Sequence, residues 1–352
     1  LFAPSLSYKG DDYRINFAYT HTRSTDPIDR GMYLVPSTGE LLPIDKKRRL
    51  DEPFNKLKTK LDTADINFEK NIGENWMLKG AYAFSRSRHE YGHIRLMNVN
   101  LNTGVASRRN EAYDGFIHRT HAGSLNLNGY VKTGELEHNL LFGIDAKEYY
   151  RYRPGALNSS GTTQRNFPIN IYNPVYGTVA YPTDRASGIQ YQKLKTIGFY
   201  AQDSINLTQN LIYSLGARYE YYDQAARGTT SGPNSTDQQD GKFTWQTGLL
   251  YLLTPEWSVY TNYAQSFNPQ MAISGSDIGD IKPEEGKSIE FGSKFQNDSI
   301  TASAAVFNIN KKNIMRTVDG VSTPVGEARS RGFEFDFNGR VTQGLSLGAS
   351  YA

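Results

Sequence analysis

The stretch Tyr213-Ser214-Leu215-Gly216-Ala217-Arg218-Tyr219-Glu220 puts Tyr213, Leu215, Ala217 and Tyr219 on one side of an extended chain. Ser214, Gly216, Arg218 and Glu220 fall on the other. A period of two marks a strand whose faces meet different surroundings. The same pattern recurs outward in both directions. Tyr13, Ile15, Phe17 and Tyr19 oppose Arg14, Asn16, Ala18 and Thr20, and Trp76, Leu78, Gly80, Tyr82 and Phe84 oppose Met77, Lys79, Ala81 and Ala83. Leu140, Phe142 and Ile144, then Phe243, Trp245 and Leu249, then Ile289, Phe291 and Phe295, and finally Phe333, Phe335 and Phe337 repeat it. Helical periods are nearly absent. Each segment reaches about 10 residues, the length a tilted strand needs to cross a bilayer.

The connections turn this pattern into an architecture. Short turns fall at Gly10–Asp12, Asn71–Asn75, Thr133–Glu135, Thr208–Asn210, Leu253–Glu256, Asn297–Ser299 and Thr342–Gly344. Long polar connections lie between them, near 24–57, 89–115, 154–188, 223–241, 268–283 and 311–328. Strict alternation of short and long puts all long loops at one end of about 14 strands. That is the layout of a transmembrane antiparallel β-barrel with short periplasmic turns and long extracellular loops. Closure satisfies every backbone hydrogen bond inside hydrocarbon, so the outer face is apolar and the inner face wet. Trp76 and Trp257 start strands just after short turns, where an interfacial aromatic belt belongs. The many inward charges indicate a large lumen rather than a side-chain-filled one.

Composition narrows the function. The 39 basic and 36 acidic residues leave a net charge of only +3, which excludes a strongly basic nucleic-acid protein. No cysteine is present, so disulfide scaffolds, thiol nucleophiles and Cys-based metal sites are excluded. No run approaches 18 apolar residues, which excludes a transmembrane helix but not a barrel. Gly344-Leu345-Ser346-Leu347-Gly348 satisfies a hydrolase-elbow pattern. Its residues alternate along a strand with no helix behind, so Ser346 is not read as a nucleophile. His118 and His121, three apart on a strand, take opposite faces, while His89 and His93 sit in a polar connection without a third ligand.

Several segments then resemble TonB-dependent siderophore receptors. Thr196-Ile197-Gly198-Phe199-Tyr200-Ala201-Gln202-Asp203, followed by Leu211 and Gly216-Ala217-Arg218-Tyr219-Glu220, resembles that family's "YxQD … LxxGxRYE" hairpin. Trp257 through Phe267, Ile281-Lys282-Pro283-Glu284 with Glu290-Phe291-Gly292, Ala304–Ile314 and Ser330-Arg331-Gly332-Phe333-Glu334 match further blocks in order. The resemblance implies a 22-strand barrel around an N-terminal plug. It further implies a non-enzymatic outer-membrane receptor of a Gram-negative bacterium that imports a ferric siderophore with TonB-supplied energy. Residues 1–352 are then one partial barrel domain, lacking the plug, the first strands and the C-terminal strands. Opening at Leu1-Phe2-Ala3-Pro4 without Met and stopping inside an alternating run fit that expectation. The implied ligand arrives with its iron already chelated, so no resident cofactor or protein metal ligand is expected. Among siderophores a hydroxamate of the ferrichrome or ferrioxamine kind is preferred. A receptor for cobalamin, haem or an oligosaccharide, and a passive porin, are the rival readings.

The candidate ligand-binding residues follow from phase. Carrying Ile144 and Ala146 upward puts Tyr150 and Tyr152 outside, at the headgroup girdle. Tyr149, Arg151 and Arg153 then face the lumen at its extracellular mouth. Tyr222, inward beside Glu220, and Phe116 with His118 join them. Aromatic faces with a few fixed donors suit an amphipathic chelate. The one basic run, Lys46-Lys47-Arg48-Arg49, is read as a solvated loop patch meeting lipopolysaccharide phosphates. Expected partners are thus the siderophore, the TonB complex and outer-membrane lipid, with no nucleic acid and a monomeric receptor.

Overall fold

The computed structural model describes all residues except 36–37, 159–166, 186–187, 229–234, 271–280 and 319–320. The strands are β1 (Ser5–Lys9), β2 (Tyr13–Pro27), β3 (Lys56–Ile72), β4 (Trp76–Asn100), β5 (Val105–Thr133) and β6 (Leu136–Arg153). Three two-residue strands follow, β7 (Leu157–Asn158), β8 (Ile169–Asn170) and β9 (Asp184–Arg185). Then come β10 (Gln190–Asn206), β11 (Leu211–Gly228), β12 (Ser235–Leu252), β13 (Trp257–Asn268) and β14 (Glu284–Gln296). β15 (Ile300–Val318), β16 (Val321–Thr342) and β17 (Leu345–Tyr351) complete the described strands.

Apart from β7 to β9, every strand pairs antiparallel with its neighbour in sequence, β6 pairing with β10. The result is a fourteen-stranded meander. Every short turn expected from sequence lies between two of these strands, and the Gly344–Gly348 segment enters β17 as extended chain.

Register confirms which face is which. Ile144, Phe199, Tyr219 and Phe243 lie directly opposite one another on β6, β10, β11 and β12. The last three of these rings stay 52 %, 49 % and 57 % exposed. In water such a belt would be an aggregation surface; against acyl chains it is matched. The opposite face carries paired charge. Arg218 on β11 crosses over β10 to reach both carboxylate oxygens of Asp145 on β6, at 2.6 and 2.9 Å. It can do so because Gly198 lies beneath it, where any Cβ would collide with the guanidinium.

The upper half differs from the sequence reading. The regions near 89–115, 223–241 and 311–328 are largely strand rather than loop, as β4 and β5 continue to Asn100 and from Val105. Above the hydrocarbon a strand meets water or covering segments instead of lipid, so the apolar alternation fades while ladder hydrogen bonds continue. At 25 and 29 residues, β4 and β5 far exceed what a bilayer requires. Their extension is covered by the 28–55 and 154–185 connections. Val35, Leu42, Leu50, Ala106, Ile169 and Ile171 form a buried apolar cluster there. The fully buried Arg108 locks it, donating to Glu52 Oε1 at 2.8 Å, Leu50 O at 3.2 Å and Phe167 O at 3.0 Å.

Candidate functional site

The inward faces of β5 and β6 meet just above the lipid belt. His118 lies opposite Arg151, and Arg151 lies opposite Gln192 on β10. The His118 Nδ1 and Tyr149 hydroxyl are 3.0 Å apart. Phe116 stacks on His118 with centroids 5.0 Å apart and planes at 19°. The Arg151 guanidinium sits 5.0 Å above the Phe116 ring and donates to Gln192 Oε1 at 3.1 Å. Four of the six residues singled out from sequence, Phe116, His118, Tyr149 and Arg151, thus form one contiguous cluster. Arg153 lies one step higher, 5.5 Å over the Tyr113 ring. Neither Arg151 nor Arg153 makes an ion pair among the described residues, and both are held by aromatic faces. A guanidinium so placed keeps its charge available to an anionic ligand.

Tyr222 does not join this cluster. β10 separates its strand from β6, and its side chain is fully buried. It packs against Phe267, with centroids 6.2 Å apart, and accepts a hydrogen bond from Gln238 Nε2 at 3.4 Å. Gln238 Oε1 in turn accepts from Ile281 N at 3.0 Å. The returning chain at Ile281 closes over the tyrosine, so it is a packing residue and no open surface.

The structure adds residues that the sequence reading left in a loop. His89 meets His118 edge-on at 5.9 Å. Above them Tyr91 and Tyr113 lie 5.3 Å apart, and Tyr91 stacks on His93 at 5.8 Å and 17°. Arg30 reaches in from the 28–55 connection to donate to His93 Nε2 at 2.6 Å. The alternation His89, Tyr91, His93, Arg95 is present in the sequence. It was hidden because the residues between, Glu90, Gly92 and Ile94, show no consistent apolar face.

These upper groups lie beyond the membrane. Burial pushes the His93 imidazole down to about 4, helped by the Arg30 charge and opposed by Glu111. Burial also pushes the Tyr91 phenol up to about 12, with Glu111 adding to it. His93 is therefore a neutral acceptor at neutral pH and is buried against Arg30, while the open part of the ladder presents neutral rings with the Arg151 and Arg153 guanidinium groups. Its capability is recognition of a flat, partly apolar, anionic solute. Among the described residues, no group of three or more His, Asp or Glu is arranged to hold a metal ion.

The basic run Lys46–Arg49 is only partly solvated. Arg48 donates to the carbonyls of Ile171 and Tyr172 at 3.1 and 3.0 Å, and Arg49 pairs with Asp51. Arg48 therefore fastens one connection to another, while Arg49 is paired within its own.

Comparison with known proteins agrees with the architecture. Residues 2–352 match the family described as TonB dependent receptor-like, beta-barrel. An uncharacterized TonB-dependent receptor of Haemophilus influenzae is 41 % identical over 192 residues, covering 52 % of this chain and 56 % of the relative. The metal-pseudopaline receptor CntO of Pseudomonas aeruginosa is 29 % identical over 372 residues, covering 100 % of this chain and 50 % of the relative. The closed-form crystal structure of the ferric-catecholate import receptor Fiu from Escherichia coli K12 superimposes with a TM-score of 0.80 at 22 % identity. That match covers 97 % of this chain and 55 % of the other. The chain spans about half the length of the curated relatives it matches. An antiparallel meander with one lipid-facing side, short turns at one end and a match over almost every residue leads to one conclusion: the chain belongs to the TonB-dependent receptor-like β-barrel family.

Proposed function

We propose that this chain forms the ligand-capturing wall of an outer-membrane receptor that takes up a ferric siderophore, with energy from the TonB complex. The supporting observation is the inward ladder Phe116–His118–Tyr149–Arg151, extended by Tyr91 and by Arg153 over the buried Tyr113 ring, at the end of the barrel bearing the long connections. Aromatic faces hold the apolar part of a chelate while the guanidinium groups meet its negative charge. No bond is made or broken, so the selective step is binding. The protein is not an enzyme.

A second reading has its own support. One relative that matches all of this chain is named for a metal-pseudopaline complex. A metal chelate of the pseudopaline kind therefore stands beside the hydroxamates preferred from sequence, and Arg151 and Arg153, which form no ion pair among the described residues, suit an anionic one. Uptake separates the readings. Iron-starved cells with and without the gene receive radio-iron as hydroxamate, catecholate or carboxylate chelates, each with and without an uncoupler. Gene- and energy-dependent uptake of one chelate is expected. Gene-dependent leakage that ignores the uncoupler would instead mark a porin. For the site itself, Arg151→Ala weakens binding of the transported chelate about 10-fold or more, as for loss of a charged hydrogen-bond donor, and Tyr149→Ala about 5-fold, as for a neutral one. Unchanged affinity in both would remove these residues from the site.

A further inference from the structure

The 28–55 connection and the upper end of β4 enclose a second space, above the ladder rather than in it. It is a cavity of about 560 Å³, within the usual range for a small-solute site. Six cations and three carboxylates line it. The carboxylates are already engaged: Asp29 Oδ1 accepts from Gly31 N at 2.8 Å, Asp45 Oδ1 accepts from Lys47 N at 2.7 Å, and Asp51 pairs with Arg49. Arg48 donates to the carbonyls of Ile171 and Tyr172. That leaves Arg30, Lys46, Lys47 and Arg95 of the lining, with no ion pair among the described residues.

Two of these four sit where an uncompensated charge destabilises the fold. Arg95 stands opposite Arg109 across the β4–β5 ladder, and like charges in directly opposed positions weaken a sheet. The Arg95 Nε is buried without a hydrogen-bond partner. Arg30 enters from the connection and donates to His93, whose neutral ring takes the hydrogen bond without offsetting the charge. Both guanidinium groups act on that one imidazole, so they lie near each other. Glu111 lies 3.8 Å from His93 Nε2 and pairs with neither Arg30 nor Arg95. A negative group between the two arginines is the missing partner.

From this arrangement we infer an effector site for a small, metal-free organic polyanion, bearing carboxylate or phosphate groups, between the 28–55 connection and β4. Guanidinium forks suit both kinds of oxyanion. Ile28, Met32 and Ile44 give the cavity an apolar side for a short carbon skeleton. Bound there, the anion bridges Arg30 and Lys46 of the connection to Arg95 of the strand, and so fastens the connection to the barrel wall. The site is independent of which chelate the ladder captures.

The test uses the whole receptor purified from outer membranes in detergent, at fixed ionic strength. Calorimetric titration reads the binding of two probes. One is tricarballylate, a tricarboxylate without the hydroxyl that lets citrate chelate iron, and the other is glycerol 3-phosphate. One of them is expected to saturate a single site per chain. Arg95→Gln weakens that binding at least about 10-fold, as for loss of a charged hydrogen-bond partner. Lys46→Gln/Lys47→Gln, which alters only exposed side chains, weakens it about 3-fold. The bound probe also slows chymotrypsin cleavage within 28–55 in the wild type and not in Arg95→Gln. Heat-modifiable migration reports folding, and the lysine variant decides the matter should Arg95→Gln fail to fold. No saturable binding of either probe, equal binding by wild type and the folded variants, or inorganic sulfate binding as tightly as the better probe overturns the inference. So does an equal loss in Arg151→Ala, which would put the anion in the ladder.

Discussion

Gly115 shows how one residue redirects a surface. It has φ of +90° and sits at the register shift where His89 pairs with Phe116 but Glu90 pairs with Asp114. The bulge reverses the phase of β5, so Tyr113 joins Phe116 on the inward side and Arg108 and Ala112 turn toward the covering connections. A side chain at that φ is strained by about 1–3 kcal/mol. Gly115→Val is expected to loosen the upper half of β5 and weaken ligand binding while heat-modifiable migration of the barrel persists. Hydrogen exchange of residues 105–118 checks it. His93 makes a pH prediction. Its partners are Arg30, Glu111 and the Tyr91 ring, and its folded value of about 4 lies below the usual 6.5. Between those values the unfolded imidazole binds a proton that the folded one refuses, so local stability is full above pH 6.5 and falls as pH drops toward 4. Exchange protection around residues 91–111 should decline from pH 7.5 to pH 5, and His93→Gln should flatten that dependence.

At the scale of elements, the extracellular layer depends on one buried ion pair. Arg108 and Glu52 are both fully inaccessible, and Glu52 Oε2 also accepts from Gly177 N at 2.6 Å. Three segments, β5, the 28–55 connection and the 154–185 connection, therefore converge on two side chains. Removing one partner of a buried pair costs about 3–5 kcal/mol because the other charge stays in place. Glu52→Ala is accordingly expected to release both connections. Cleavage by added protease within 28–55 on intact cells should rise while the membrane-spanning part stays resistant. Equal cleavage of wild type and variant would show that the apolar cluster of Leu42, Leu50 and Ile171 holds the layer unaided.

For the whole molecule, the decisive property is that its two faces have different solvents. Phe199 lies in the lipid-facing belt and Gln202 on the lumen side of the same strand, where it accepts a hydrogen bond from Gln246 Nε2 at 3.3 Å. Phe199→Arg is expected to cost up to about 2–4 kcal/mol in a bilayer, depending on depth, and Gln202→Arg far less. Urea unfolding in lipid vesicles measures the difference. A similar cost at both positions would contradict the assignment of faces.

The strands, their faces and their short turns were legible in the sequence because each depends on neighbours one or two residues away. Tyr213–Glu220 shows its two sides without reference to any other strand. The same local logic put Tyr149 and Arg151 opposite Tyr150 and Tyr152, which the His118 and Arg119 contacts bear out. It failed above the membrane, where His89 to Asn100 mixes polar residues with Ile94, Leu96, Met97 and Val99 and the period that marks a strand in lipid disappears. Only the tertiary structure decided that β4 and β5 run on as a hairpin, that Gly115 shifts their phase, and that Ile281 buries Tyr222 in a cluster apart from Tyr149. It alone decided that Arg48 would be spent on carbonyls 123 and 124 residues away. Such contacts follow from register and loop packing, which no period within a single strand encodes.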